Sequence, residues 1–439
     1  MSSSTRGSVA VIGAGVSGLT AAHVLSVNHD VTVHEAESRL GGHAHTHDVT
    51  GADGETLRVD SGFIVHNDRT YPVLRRLFTD LGVVARPTEM SMSIHDEASG
   101  IAYAGGRGVQ GFLARPRQLL DGDYLTMLRA VRRFHRDASA FLDESAPDDL
   151  TTYEEFIRSA GLPEAFTRLY AVPLVACVWS TEVGRALDYP ARHLFAFLRN
   201  HGMLSIGDSP QWFTVEGGSR TYVDALAQRL VSKGATIRTG CGVRGILRHA
   251  DGVEVTDDAG RTRLHDRVVI ATHSDTALAL LADATPAEKD VLGAIRYTSN
   301  ETVLHADPSL LPRNSRLRSS WNYVMPAAPA AAAGARADSD GLPIVTYWMN
   351  KLQGHPEAGP LLVTLNAADR IDPALVLARM DYSHPLFDVA ALRAQHRLPE
   401  LTTDRTAFAG AYHGWGFHED GARAGLAAAE AFGARWSDA

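Results

Sequence analysis

Each end of the 439-residue chain carries a glycine-rich junction between an apolar strand and a helix, and this pair of junctions constrains the fold more than anything between them. Near the N-terminus, Ser8 to Ile12 (S-V-A-V-I) is the short apolar run of a buried parallel strand. Gly13-Ala14-Gly15-Val16-Ser17-Gly18 follows at once, and Leu19 to Leu25 continues as a helix. Gly13 suits a tight turn, Gly15 lets backbone approach a diphosphate, and Gly18 lets helix pack on strand. The helix N-terminus offers free N–H groups to anionic oxygens. A second strand, Val31 to His34, ends at Glu35, whose carboxylate suits a ribose 2′-hydroxyl and would repel a 2′-phosphate. At the other end, Thr406 to Gly410 (T-A-F-A-G) reads as a strand leading through Ala411 to Gly421 into an Ala-rich helix. The pairing predicts a long dinucleotide held from both chain ends.

The bare G-x-G-x-x-G pattern occurs twice more, at Gly106 to Gly111 and at Gly240 to Gly245. The former soon meets Pro116 and the latter enters the alternating Val253-Glu254-Val255, so both read as structural turns. A net charge of −9 argues against nucleic-acid binding. Cys177 and Cys241 make neither a disulfide framework nor a CxxC site, which fits a reducing compartment. The start, Met1 to Ser8, lacks the apolar core of a signal peptide, and the longest apolar run, Ala171 to Trp179, is too short to span a bilayer. A cytoplasmic location is expected. Arg129, Arg132, Arg133 and Arg136 share one helix face, which reads either as a solvated surface or as a peripheral contact with anionic lipid.

Directly after Glu35 comes Ser38-Arg39-Leu40-Gly41-Gly42-His43, a second glycine pair suited to an extended FAD more than to NAD. With this block the chain resembles the flavin-dependent amine oxidase superfamily, which includes monoamine oxidases, phytoene desaturases and protoporphyrinogen oxidases. The matching elements are Gly13 to Gly18, Glu35, Arg39 to Gly42, Val59-Asp60-Ser61-Gly62, Glu216-Gly217-Gly218-Ser219, the strand Asp266 to Ala271, and Phe408-Ala409-Gly410 with Gly421. The segments Gly62 to Asn67, Ala271 to Asp275 and Gly416 to Gly421 look like a bacterial branch of predicted NAD/FAD-binding proteins, often encoded beside cyclopropane-fatty-acid-synthase-like methyltransferases. The resemblance implies non-covalent FAD. It places Gly13, Gly15, Val16, Ser17, Gly18, Glu35 and Ala36 at the adenosine and diphosphate, and Arg39, Gly41, Gly42, His43, Gly62 and Phe63 further along the cofactor. Val243 falls at the adenine, Gly410 at the diphosphate and ribityl chain, and Asp420 and Gly421 at the pyrimidine end. Two departures stand out. Ala411-Tyr412 replaces the acid that usually follows F-A-G, and the stretch Tyr297 to His305 lacks the lysine that relatives bridge to flavin N5. The second disfavours ordinary amine oxidation.

The expected class is α/β: a Rossmann-like FAD-binding domain, with a parallel sheet plus β-meander, and an interleaved α+β substrate domain of antiparallel sheet and helices. The first draws on residues 1–75, 205–285 and 395–439, the second on 76–204 and 286–394. Met127, Val131, Phe134, Ala138 and Phe141 recur at helical spacing, whereas Ser299 to His305, Leu342 to Met349 and Leu361 to Leu365 read as strands. Residues 326–340 form a low-complexity linker.

Hydride chemistry at a flavin needs an apolar cavity, an orienting group and sometimes a base. His418 and Glu419 are the candidate bases because they precede Gly421, and Tyr412 lies in the same segment. Capping of the final helix is the competing role for Glu419 and Asp420. Phe63 and Asn67 are candidates to reach the cavity, as are Trp179, Trp321 and Trp348, which equally suit a core. His43, His45 and His47 alternate as on one strand face, yet without a cluster of acids or thiols they read as flavin-adjacent polar residues and not as a metal site. The leading expectation is an oxidoreductase that dehydrogenates, or otherwise changes the double bonds of, a small hydrophobic substrate, an acyl chain or lipid. The alternatives are an amine or amino-acid oxidase, and a non-catalytic flavoprotein partner of a SAM-dependent lipid methyltransferase.

Overall fold

The computed structural model describes residues 6–436 apart from 52–53, 106–108, 113, 206–208, 328–341 and 357. Residues 106–108 of the second G-x-G-x-x-G and nearly all of the low-complexity linker therefore lie outside the described residues, and the rest of that motif lies in the short helix Val109–Phe112. Strand Ser8–Ile12 (β1) lies at the centre of a five-stranded parallel sheet, between Asp30–His34 (β2) and Arg267–Ile270 (β4). Thr236–Arg238 (β3) and Thr406–Phe408 (β5) form its edges, in the order β3-β2-β1-β4-β5. The continuous apolar run in β1 follows from cover on both faces. Val9 and Val11 pack beneath helix Val16–Leu25 (α1), while Ala10 and Ile12 face Ile246, Val253 and Val255 of a three-stranded antiparallel meander. That meander begins at Val243, where the third G-x-G-x-x-G runs straight into a strand, as its context implied.

The helix at the far end of the chain, His418–Ala431 (α4), packs along α1. A Cβ on Gly421 would come within 2.7 Å of Val16 and 2.9 Å of Ser17, and one on Gly425 would overlap the Ser17 carbonyl. Gly421 thus lies opposite Val16, and Gly425 opposite Ser17 and Ala21, so the two helices run in the same direction. Their N-termini open onto the same edge of the sheet. The separation is set by the missing side chains, since ordinary residues hold helix axes about 8–10 Å apart.

A second, seven-stranded sheet supports the other half of the molecule. Its order is Val376–Pro385, Tyr297–His305, Leu362–Leu365, Ile344–Trp348, Trp321–Met325, Met92–Asp96 and Ala102–Gly105. All pairs are antiparallel except Trp321–Met325 beside Met92–Asp96. Helices cover it, including Gly122–Glu144 (α3), which buries Met127, Phe134 and Ala138 as its periodicity required. Arg129, Arg132, Arg133 and Arg136 are exposed on its outer face, where Arg133 and Arg136 pair with Asp137.

Asp60 ties these parts together. Buried after its hairpin strand, it accepts from Thr46 Oγ1 (2.5 Å), Ser219 Oγ (2.7 Å), Ser219 N (3.0 Å) and Gln353 Nε2 (2.8 Å). This explains Glu216-Gly217-Gly218-Ser219: both glycines have positive φ, and a Cβ on Gly218 would meet Thr46 at 2.6 Å and keep Ser219 from its carboxylate. Among the described residues no helix is long and apolar enough to cross a membrane.

Replacing Gly425 with Val should lower stability by about 2 kcal/mol or more, because the added carbons overlap α1 backbone that has nowhere to move. The exposed Ala427→Val on the same helix should cost under about 0.5 kcal/mol. Urea denaturation of both variants checks the difference.

Candidate functional site

The two junctions meet around a cleft whose first wall is glycine backbone. Gly13 has φ +95°, and a Cβ there would lie 2.7 Å from Ala271 O; one on Gly18 would overlap Gly13 O. These two glycines close the turn. Gly15 differs, because a Cβ there would meet nothing within 4 Å. It N-caps α1 with no side chain bonded to the free helical N–H groups. Open space beside uncapped N–H groups is what a diphosphate needs. Gly42, with φ +55°, brings a second backbone segment against Gly15: its own Cβ would fall 3.2 Å from Gly15 Cα. Arg39 braces that segment by donating to Gly42 O at 2.8 Å and to Ala44 O at 3.4 Å, and Gly41 N–H bonds Ala14 O.

Glu35 stands at the end of β2, its carboxylate accepting from Ala14 N (2.8 Å) and Glu37 N (2.9 Å). Ala36 lies against Gly242, next to Val243, and the backbone of Glu35 bonds that of Arg238 and Cys241. The structure thus gathers Gly13, Gly15, Val16, Ser17, Gly18, Glu35, Ala36, Arg39, Gly41, Gly42 and Val243 at one end of the cleft. At the other end lie His43, Gly62, Phe63 and the start of α4. A Cβ on Gly62 would overlap the His43 carbonyl, and Phe63 N bonds that carbonyl at 2.7 Å. The cradle fits FAD: space at Gly15, helical N–H groups at its mouth, a carboxylate at the ribose end, and a buried, unpartnered His43 Nε2 further along.

The candidate bases are corrected by their surroundings. Tyr412 lies in the core with Ile12, Ile270 and Phe408, its ring filling the space above Gly410 and its hydroxyl unpartnered. It is a packing residue. Glu419 accepts from Val73 N (3.0 Å) and Leu74 N (2.9 Å), so it caps helix Pro72–Leu81 (α2) and not its own helix. Asp420 accepts from Trp415 N and Phe417 N, both at 3.0 Å, and pairs with Arg423 at 2.9 Å. α4 therefore starts at His418, three residues before the expected Gly421, and the Asp420 carboxylate is turned back on its own loop, leaving only backbone toward a ligand. Desolvation raises Glu419 to about 7 and Asp420 to about 6. His418 stacks on Phe63 (centroids 3.9 Å, planes 8° apart) and its Nε2 lies 2.6 Å from Tyr222 Oη. Burial holds its pKa at about 3, which makes it a neutral, fixed ring and a poor proton acceptor.

The remaining candidates separate by position. Asn67 is fully buried and folds the turn into α2, its Oδ1 accepting from Arg69 N and Thr70 N. Trp179 is core, donating to Trp415 O at 2.9 Å. Trp348 donates to Asn350, whereas Trp321 Nε1 is buried without a partner beside Tyr347. His43, His45 and His47 do not share a strand face, because the strand starts at Thr46. His45 and His47 are 4.0 Å apart by centroid, while His43 instead faces His273, Tyr382 and His384 at 6.1, 4.9 and 5.7 Å. Among the described residues no group of three or more His, Cys, Asp or Glu is placed to hold a metal ion. His384 escaped the sequence reading, and His273 entered it only within the matching segment Ala271 to Asp275, because only the tertiary fold brings the two to His43.

Residues 16–307 match the family described as flavin containing amine oxidoreductase. The chain belongs to that family. Members of that family are flavin-containing oxidoreductases. The chain is 30% identical over 273 residues to the flavin-dependent L-tryptophan oxidase RebO of Lentzea aerocolonigenes, which covers 56% of this chain and 54% of that protein. The chain thus spans about half the length of that curated relative. Among solved structures it resembles putrescine oxidase bound to putrescine (TM-score 0.67, 16% identity, 98% of this chain and 99% of that one). It also resembles the CLA-producing fatty acid isomerase from P. acnes (TM-score 0.65, 15% identity, 97% and 98%). These likenesses establish the fold and no more.

Gly15→Val should leave the apoprotein as stable as the parent, since the new side chain enters open space at an ordinary negative φ. It should weaken FAD binding by about 100-fold or more by filling the diphosphate cradle. Fluorescence titration and thermal melting of the apoprotein measure the two effects. A further expectation concerns pH. Ten buried or half-buried imidazoles have pKa values near 3 or 4, against three carboxyls, Asp60, Glu419 and Asp420, raised to about 6 or 7. A depressed histidine loses stability as pH falls below its unfolded value of about 6.5, whereas a raised carboxyl loses stability as pH rises through its folded value. The histidines outnumber the acids, so the urea midpoint of the apoprotein should fall as pH drops from about 7 to 4. Glu419→Gln, which removes one opposing contribution, should steepen that fall.

Proposed function

We propose that this FAD-dependent oxidoreductase takes a small hydrophobic substrate, an acyl chain or lipid, and dehydrogenates it or shifts its double bonds. Bound flavin supplies a hydride acceptor at N5. The protein's task is then to hold a C–H bond in place and to exclude water. The supporting observation is the lack, among the described residues, of a free charge at the far end of the cleft. His43, His273, His384 and His418 are all kept neutral chiefly by burial, and Glu419 and Asp420 are both engaged by backbone N–H groups. The strand Tyr297–His305 carries no lysine. Phe63, Phe417 and Trp415 supply aromatic surface nearby. Such a site selects by shape and apolar contact. The fatty acid isomerase among the structural neighbours is compatible with acyl chains on this fold.

A second reading, oxidation of an aromatic amino acid or amine, is favoured by the tryptophan oxidase relative. A third, a non-catalytic flavoprotein serving a SAM-dependent lipid methyltransferase, rests on the sequence resemblance alone. We place the protein in the cytoplasm, with Arg129 and Arg132 free for weak adhesion to anionic lipid. Anaerobic mixing of the holoprotein with fatty acids, phospholipids, amines and L-tryptophan distinguishes the readings. Bleaching of the yellow flavin by acyl compounds only is the expected result. Bleaching by tryptophan or amines only refutes the acyl assignment, and no bleaching by any of them, together with co-purification of a methyltransferase, supports the third reading.

A further inference from the structure

His384 is placed by a relay of side chains whose hydrogen-bond directions are forced from one end to the other. Asn366, in the left-handed region at φ +61°, donates through Nδ2 to Pro343 O (3.1 Å) and to Asn300 Oδ1 (2.8 Å). A carbonyl can only accept, so the nitrogen of Asn366 is assigned, and the oxygen of Asn300 with it. Asn300 is fully buried, and its Nδ2 donates to Thr298 O (3.1 Å) and to His384 Nδ1 (3.2 Å). Nδ1 must therefore be the acceptor, and in a neutral ring the proton resides on Nε2. Burial holds the His384 pKa at about 4, so the ring is neutral across the physiological range.

The direction of that N–H is equally constrained. His384 and Asn300 occupy neighbouring strands at the edge of the seven-stranded sheet. With Nδ1 turned toward Asn300, the other ring nitrogen is turned away from Asn300, and the His43 ring lies 5.7 Å from that of His384 by centroid. Among the described residues His384 Nε2 has no hydrogen-bond partner, and His43 Nε2 is buried without one. His43 directly follows Gly42, which touches Gly15, so these unpartnered groups line the continuation of the diphosphate cradle. A preset donor that no protein group meets is open to a ligand in the cleft.

We propose that His384, oriented by Asn300 and Asn366, is a fixed neutral N–H donor to the acceptor edge of the bound flavin ring, in the sector of the fold where lysine is missing. Asn300 and Asn366 are positioning residues. The charged and titratable groups around His384 are His43, itself near Arg39 and His418, and His273, near Asp275 and stacked on Tyr297. None of them supplies a carboxylate in contact with the ring. Hence no titration of His384 accompanies wild-type holoprotein between about pH 5 and 8.

The inference rests on FAD binding and not on the substrate class, and its test needs no substrate. His384→Leu removes the donor and should shift the visible absorption bands of bound flavin and weaken FAD binding roughly tenfold, whereas His384→Gln should restore most of both. Asn300→Asp replaces the donor to Nδ1 by an anion, favouring the imidazolium. It should introduce a pH-dependent flavin spectrum between about pH 5 and 8 that the parent lacks. Should His384→Leu fail to fold, the Asn300→Asp titration alone decides. A folded His384→Leu holoprotein with unchanged spectrum and affinity, or an Asn300→Asp spectrum that stays flat with pH, overturns the proposal while leaving the acyl-substrate reading intact. A parent protein that binds no FAD overturns both.

Discussion

The close parallel contact between α1 and α4 is the constraint on which the site depends. Helices rarely approach closely enough for one backbone to touch the other, and here the contact requires Gly421 and Gly425 against Val16, Ser17 and Ala21. Because the two helices run in the same direction, their N-terminal N–H groups and partial positive charges face one cleft. A cofactor bound there bridges chain segments some four hundred residues apart, and so links the integrity of the first strand to that of the last helix. Gly18 and Gly13 set the same kind of contact between helix and strand at the other side of α1.

Charge in this molecule is handled by confinement. Asp60, Glu419 and Asp420 are buried carboxylates, each held by two or more hydrogen bonds, and each joins elements that are remote in sequence or fixes a helix end. The histidines lining the cleft are neutral for the complementary reason, that burial disfavours the cation. The far end of the cleft is thus polar in hydrogen-bonding capacity yet nearly free of net charge.

The first strand, its glycine turn, the acid at Glu35 and the final strand and helix were all legible in the sequence, since each follows from local periodicity and the steric needs of glycine. The strands Tyr297–His305, Ile344–Trp348 and Leu362–Leu365 emerged within two residues of their expected limits for the same reason. The catalytic candidates fared differently. Glu419 looked like a free base because it precedes Gly421, but its partners, Val73 and Leu74, lie at a helix end more than three hundred residues away. Tyr412 stood in a polar-looking segment and proved to fill the gap above Gly410. His384 carried no local signal, and His273 stood only within the matching segment Ala271 to Asp275, with no role attached to it.

The sequence by itself determined where backbone must pass close to backbone, because a glycine's lack of Cβ is a property of one position and its neighbours. It thereby determined the dinucleotide cradle and the family. Only the tertiary structure decided which ionisable side chains are free, which are engaged as caps, and which imidazoles share the cleft. Those outcomes depend on desolvation and on hydrogen-bond partners contributed by distant segments, and neither is encoded in the spacing of residues along the chain.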